Sequence, residues 1–346
     1  MQPNSQTDRL SEAFFRRMKS CLGIIITTHR GPDPDGLGAE IALNYLLLKL
    51  GFDSRIINHD EAPAKLAFLL EGHKIETFDQ VDAREGRERL RGRTVISIDN
   101  SDPDRIGDVG LLLDKEQSNL IIVDHHDGAR PDYERNFQDP GSASSCELVY
   151  RLYESAGQEI PPEVALPLYA GIVADTGHFR YGKTTPETHR VAARLLETGI
   201  KPEKVAEGLL NNQPLGRLEA KKKLYQSLRF SSGKSIAFFS IRRDDIEKLG
   251  LEFEHLDGLV NELLEPGSVK AAVLFTERER SRTRISVRSR SDVNVLGAVQ
   301  KYGGGGHKNA CGATVDSPLD SAIAEFIPVL QTQIGEPTQG SQAAFA

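Results

Sequence analysis

Three apolar runs in this sequence stop on side chains that resist burial. Residues 22–28 (LGIIITT) lead to His29, residues 94–98 (TVISI) to Asp99, and residues 119–123 (NLIIV) to Asp124, His125 and His126. Short aliphatic and β-branched runs without polar alternation fit strands covered on both faces. Residues 55–59 (RIINH) add a strand candidate. Residues 39–50 (AEIALNYLLLKL), 143–153 (ASSCELVYRLY) and 186–196 (PETHRVAARLL) carry the apolar recurrence of packed helices. Strands alternating with helices predict an α/β fold on a mainly parallel sheet, whose loops at the strand carboxyl ends commonly form the active site.

Those same ends gather the chain's chemistry. Within residues 28–38 (THRGPDPDGLG), His29, Asp33 and Asp35 share one strand-to-helix turn, and Asp175 follows the apolar residues 171–174 (GIVA). One such carboxylate alone reads as a helix cap. Several converging at buried sheet ends repel one another, and divalent cations offset that repulsion. Oxygen and imidazole donors favour manganese or magnesium over a thiolate zinc site. Two ions about 3.5 to 4 Å apart activate water and stabilise phosphoryl oxygens, so a phosphoester is the expected substrate bond.

Composition narrows the partners. The formal net charge of -7 over 346 residues argues against broad capture of duplex nucleic acid, so no stable duplex partner is expected. Cys21, Cys146 and Cys311 are odd in number and widely spaced, which fits a reducing compartment and neither a disulfide framework nor a CxxC knuckle. Residues 21–26 (CLGIII) are too short to span a membrane and lack a secretory pattern. A cytoplasmic location without a membrane partner is expected.

These motifs resemble those of the DHH phosphoesterase family. Residues 28–38 are similar to its first motif, residues 95–102 (VISIDNSD) to its second, residues 123–126 (VDHH) to its namesake third, and residues 174–177 (ADTG) to its fourth. Ala39 departs from the first motif, standing where a small hydroxylated residue is frequent. The resemblance implies two divalent metal ions, manganese or magnesium. His29, Asp33 and Asp99 would hold one, and Asp35, Asp99, His125 and Asp175 the other, with Asp99 bridging. It also implies catalytic roles for Asp99, for Asp124 in orienting the imidazoles, and for His126 beside the reacting phosphate, with an activated water attacking phosphorus in line.

A second domain is expected from the strand candidates at residues 235–241 (SIAFFSI), 270–276 (KAAVLFT) and 284–288 (RISVR). Glycines in residues 302–312 (YGGGGHKNACG) permit close approach to a ligand, and the absence of a G-K-[ST] ending excludes a Walker A loop. Arginines alternating through residues 277–290 (ERERSRTRISVRSR) read mostly as a solvated strand face. Together the two stretches resemble the DHHA1 substrate-binding domain. That resemblance implies nucleotide-phosphate contacts for Arg288, Ser289, Gly303, Gly304, Gly305, Gly306 and His307.

The expected division is a catalytic domain over 1–195, a helical connection over 196–228, a smaller α/β DHHA1-like domain over 229–334 and a tail over 335–346. This order is similar to the oligoribonuclease and pAp phosphatase branch of the family. It implies short single-stranded RNA and 3′-phosphoadenosine 5′-phosphate (pAp) as substrates, leaves dinucleotides open as further partners, and is compatible with a homodimer. Cyclic or linear dinucleotide phosphodiesterase, single-stranded DNA exonuclease, inorganic pyrophosphatase and nonenzymatic nucleotide sensor are the alternative readings.

Overall fold

In the computed structural model the apolar runs become the strands of a parallel sheet. The strands are β1 (Ile24–Thr27), β2 (Ser54–Asn58), β3 (Ile75–Thr77), β4 (Thr94–Ile98), β5 (Leu120–Asp124) and β6 (Phe137–Gln138). Their order is β3-β2-β1-β4-β5-β6, with every pairing parallel. The order reverses between β1 and β4, a switch point of the kind at which open α/β sheets bind ligands beyond the strand carboxyl ends. The description covers residues 6–21, 23–116, 118–126, 136–256 and 258–336. Leu22 and residues 337–346 of the expected tail lie outside the described residues.

The helices around this sheet are α1 (Gln6–Met18), α2 (Pro34–Lys49), α3 (Phe78–Glu85), α4 (Ser145–Ser155), α5 (Pro162–Asp175), α6 (Pro186–Glu197) and α7 (Pro202–Ala206). They explain why the strand runs lack alternation. Ile24, Ile26, Ile56 and Ile96 pack into one core with Leu43, Leu148 and Leu168, while Ile25, Ile57 and Val95 pack into another with Phe78, Val81 and Ile106. Each central strand is thus covered on both sides.

Residues 171–174 are the last turn of α5, so Asp175 comes from a helix terminus rather than from the end of an apolar strand. The helix is apolar on most sides because it is packed between neighbours. Where α5 packs against α2 and α4, a Cβ on Gly38 would lie 2.4 Å from Pro167 O, and one on Gly171 would lie 2.3 Å from Cys146 Sγ of α4 and 3.0 Å from Asp35 Cα of α2. Only glycine permits that approach.

The chain divides into two compact units after Asn212. The second contains β7 (Arg229–Phe230), β8 (Ile236–Ile241), β9 (Ala271–Glu279), β10 (Arg282–Ser289), β11 (Gly305–His307) and β12 (Ala310–Val315). The order is β11-β12-β10-β9-β8-β7, antiparallel except for the parallel pair β8–β9. Its helices are α8 (Gly216–Gln226), α9 (Arg243–Lys248), α10 (Leu296–Gln300) and α11 (Leu319–Gln333). One sheet face packs Phe275, Ile285 and Val287 against Val299 and Phe326; the other packs Phe239 and Leu274 against Leu224 and Ile246. The glycine-rich stretch ends in strand β11, where Gly306 has φ +127° and a Cβ would meet Ala310 O at 2.5 Å. Among the described residues no helix is long and apolar enough to cross a membrane.

Candidate metal centre and phosphate pocket

Local structure at the β1–α2 turn gives Asp33 two tasks. As the N-cap of α2, its Oδ1 accepts from Asp35 N at 3.0 Å and Gly36 N at 2.9 Å, while Oδ2 lies 3.7 Å from His29 Nε2. His29 Nδ1 lies 2.9 Å from Arg30 O; a carbonyl only accepts, so Nδ1 carries a proton and Nε2 is the nitrogen turned towards the carboxylates.

Asp99 follows β4 with a left-handed φ of 58°, a conformation Asp tolerates better than bulkier residues. Its Oδ2 lies 3.7 Å from His29 Nε2 and its Oδ1 lies 3.4 Å from His125 Nε2. Asp99 therefore belongs to both halves of the cluster.

The other half is built around the start of α4. Asp35 accepts from Ser145 N at 2.7 Å and Cys146 N at 2.9 Å, so its carboxylate meets the positively polarised end of that helix. Ser145 Oγ donates to Asp99 Oδ1 at 3.0 Å. His125 Nε2 lies 3.7 Å from Asp35 Oδ2 and 3.1 Å from Asp175 Oδ2. Those approaches are not aligned as hydrogen bonds, and this buried nitrogen has no hydrogen-bond partner. Sequence reasoning missed Ser145 and Cys146; the serine-rich lead into a helix was the available signal.

The electrostatics of the cluster favour added positive charge. Burial raises Asp35 well above the usual carboxylate range, and the charges of Asp99 and Asp175 add to that. Burial also raises Asp175, to about 6, with Asp99 and Asp33 reinforcing it against the attraction of His125. Burial lowers both His29 and His125, yet the surrounding carboxylates outweigh it and bring each to about 10. A site that pulls protons onto imidazoles and carboxyls is suited to a divalent cation in their place. The groups His29–Asp33–Asp99 and Asp35–His125–Asp175 each bring ligand atoms within 4.8 Å of one another, as does Asp99–His125–His126.

Asp124 is engaged differently. Its Oδ1 lies 2.7 Å from His126 Nδ1, it also accepts from His125 N at 2.9 Å, and its Oδ2 accepts from Ser101 Oγ. The hydrogen bond to Asp124 raises His126 against a smaller opposing effect of burial. Lys183 Nζ donates to His125 O at 3.0 Å, tying the loop after α5 to this motif.

In the second unit, Arg278, Arg284, Arg288, Gly305 and Gly306 line a cavity of about 400 Å³ together with Phe253. No acidic residue lines it among the described residues, and Arg278 lies 3.8 Å from the centre of the Phe253 ring. The period of two along β10 puts Arg284 and Arg288 on the cavity face and Ser289 on the other. There Ser289 Oγ donates to Val293 O at 2.6 Å and accepts from Asn309 Nδ2 at 2.9 Å. Gly303, Gly304 and His307 are not among the lining residues; Gly304 packs instead against Gly312 O and Val299.

The model of the DHH family, N-terminal domain, matches residues 23–172, and that of the DHHA1 domain matches residues 225–336. The bifunctional oligoribonuclease and PAP phosphatase NrnA of Thermus thermophilus is 31% identical over 316 residues, 90% of each chain. The protein of the same name from Bacillus subtilis is 29% identical over 297 residues, 85% of this chain and 90% of its own. The crystal structure of an exopolyphosphatase-related protein from Bacteroides fragilis has a TM-score of 0.85, with 96% of this chain and 98% of that chain covered at 21% identity. That last likeness is one of fold.

Proposed function

The chain belongs to the DHH family, and from that premise we propose that it hydrolyses short oligoribonucleotides to mononucleotides and pAp to AMP. The observation that carries this reading is the set of ligand clusters linked through Asp99 and His125, with the buried, unpartnered Nε2 of His125 between carboxylates. Relatives named for both activities, matched along most of their length, support it.

In this reading His29, Asp33 and Asp99 hold one divalent ion, and Asp35, Asp99, His125 and Asp175 hold the other. Oxygen and imidazole donors suit manganese, with magnesium the alternative. Bound divalent ions lower the pKa of water and offset charge on phosphoryl oxygens. The chain's own groups do the rest. Ser145 and Cys146 amides fix Asp35, and Ser145 Oγ fixes Asp99. Asp124 holds His126 through Nδ1, which leaves Nε2 to donate to a phosphate oxygen or to pass a proton to the leaving oxygen.

The cavity of the second unit supplies affinity for nucleotide phosphate through Arg288, with Arg284 and Arg278 beside it. Arg288→Ala is expected to raise KM for pAp about tenfold, the loss of a charge-assisted hydrogen bond, with a smaller effect on kcat. Equal KM values for variant and parent in steady-state assays would remove that role.

The function itself is tested with metal-stripped protein given manganese or magnesium and offered pAp, a triribonucleotide, long single-stranded DNA and inorganic pyrophosphate. Release of AMP from pAp and of mononucleotides from the trimer is the expected outcome. Turnover confined to DNA or to pyrophosphate would replace this reading with another from the same fold.

A further inference from the structure

We infer that Tyr181 is a stacking platform for the substrate's nucleobase at the edge of the metal cluster. This rests on the phosphoesterase reading and adds a contact to the part of the nucleotide that the ions do not touch. Among the exposed large apolar side chains of the described residues, Tyr181 is the aromatic one in the first unit, with 54% of its surface exposed.

The ring is supported from behind. A Cβ on Gly177 would lie 2.4 Å from Tyr181 Cζ, so the ring rests on bare glycine backbone that a larger residue would displace. Gly177, His178 and Phe179 take left-handed φ values of 56°, 61° and 61°. Two of them are not glycine, which costs strain of the kind that persists where the surrounding structure over-determines it, often at functional sites. Backbone bonds hold the turn: Arg180 N and Tyr181 N donate to Thr176 O at 3.0 and 2.9 Å, and Phe179 N donates to Thr176 Oγ1 at 3.0 Å.

Phe179 does not share the exposed position. It packs against the core and stacks on His189, with ring centres 5.0 Å apart. Tyr181 is left as the ring facing solvent. The loop that carries it is fixed to the cluster at both ends, starting from Asp175 and returning through Lys183 Nζ to His125 O at 3.0 Å. A loop tied at both ends to residues of the cluster, and displaying one face of an aromatic ring, matches the flat face of a base. Stacking of this kind tolerates any base, which suits a substrate class defined by its length.

The chain contains no tryptophan, so Tyr181→Trp introduces a single fluorescent reporter. With magnesium present, AMP is expected to quench its emission and ribose 5-phosphate is not. Emission that AMP leaves unchanged, or that both ligands quench equally, would overturn the platform. In parallel, Tyr181→Leu is expected to lower kcat/KM for pAp, relative to its abasic analogue, about tenfold. Tyr181→Phe should restore that ratio. A merely structural role would lower both substrates equally and leave the ratio at its parental value, which also overturns the inference. If the parent hydrolyses neither substrate, the phosphoesterase reading fails, and the quenching experiment alone decides whether the platform exists.

Discussion

Asp99→Ala is expected to lower kcat/KM for pAp about 10³-fold or more, because in the proposed function one carboxylate would serve two cation sites at once and its removal would take away charge stabilisation at both. Both Asp99 oxygens are committed, one towards His29 Nε2 at 3.7 Å, the other towards His125 Nε2 at 3.4 Å and Ser145 Oγ at 3.0 Å. Burial works against its charge, yet the attraction of the neighbouring His125 and His29 imidazoles outweighs that and holds its carboxyl below the usual range. The residue is thus kept anionic where Asp35 and Asp175 are pushed towards neutrality. Asp99→Asn separates charge from shape, since Asn tolerates the left-handed backbone at this position. It should keep the fold and lose comparable activity. Steady-state kinetics beside a thermal melt check this, and near-parental activity in either variant contradicts the shared ligand.

Gly171→Val should lower stability by about 3 kcal/mol, roughly 10 °C in Tm, because it overpacks a crossing with no slack. The added Cβ would lie 2.3 Å from Cys146 Sγ and 3.0 Å from the Asp35 backbone at Cα. The second is backbone, and the first is a fully buried thiol that donates to Asp35 O at 3.4 Å and has nowhere to swing. Asp35 and Cys146 are themselves joined by a 2.9 Å hydrogen bond, so relief of the clash moves a proposed metal ligand. The variant should therefore retain divalent metal less well than its lowered stability alone requires. Gly267→Ala is the control, with nothing within 4 Å of the added carbon. A melt of Gly171→Val that coincides with the parent's would contradict the packing account.

The parallel sheet was legible because the central strands, covered on both sides, leave unbroken aliphatic runs in the sequence. The polar ends were legible for a related reason: a carboxylate or imidazole just past such a run has no innocuous place to go. Asp33 shows where the choice between cap and ligand was too sharp, since one oxygen caps α2 and the other faces His29.

Asp175 was located but not its element. A helix apolar on most sides carries no period, so the end of α5 read like the end of a strand run. The amides that hold Asp35 come from 110 and 111 residues further along the chain, beyond the reach of any local pattern. In the second unit the arginine alternation was visible, but which strand face meets the cavity depends on the register with β9 and β12. Tyr181 escaped notice because its exposure follows from the backbone turn at residues 177–179.

The most direct test of the shared cluster is the number and coupling of bound ions. Manganese titrated into the metal-stripped protein, counted by elemental analysis and observed by electron paramagnetic resonance, should reach two ions per chain with an exchange-coupled signal that Asp99→Asn abolishes. A single ion per chain, or two uncoupled ions indifferent to Asp99, would contradict it.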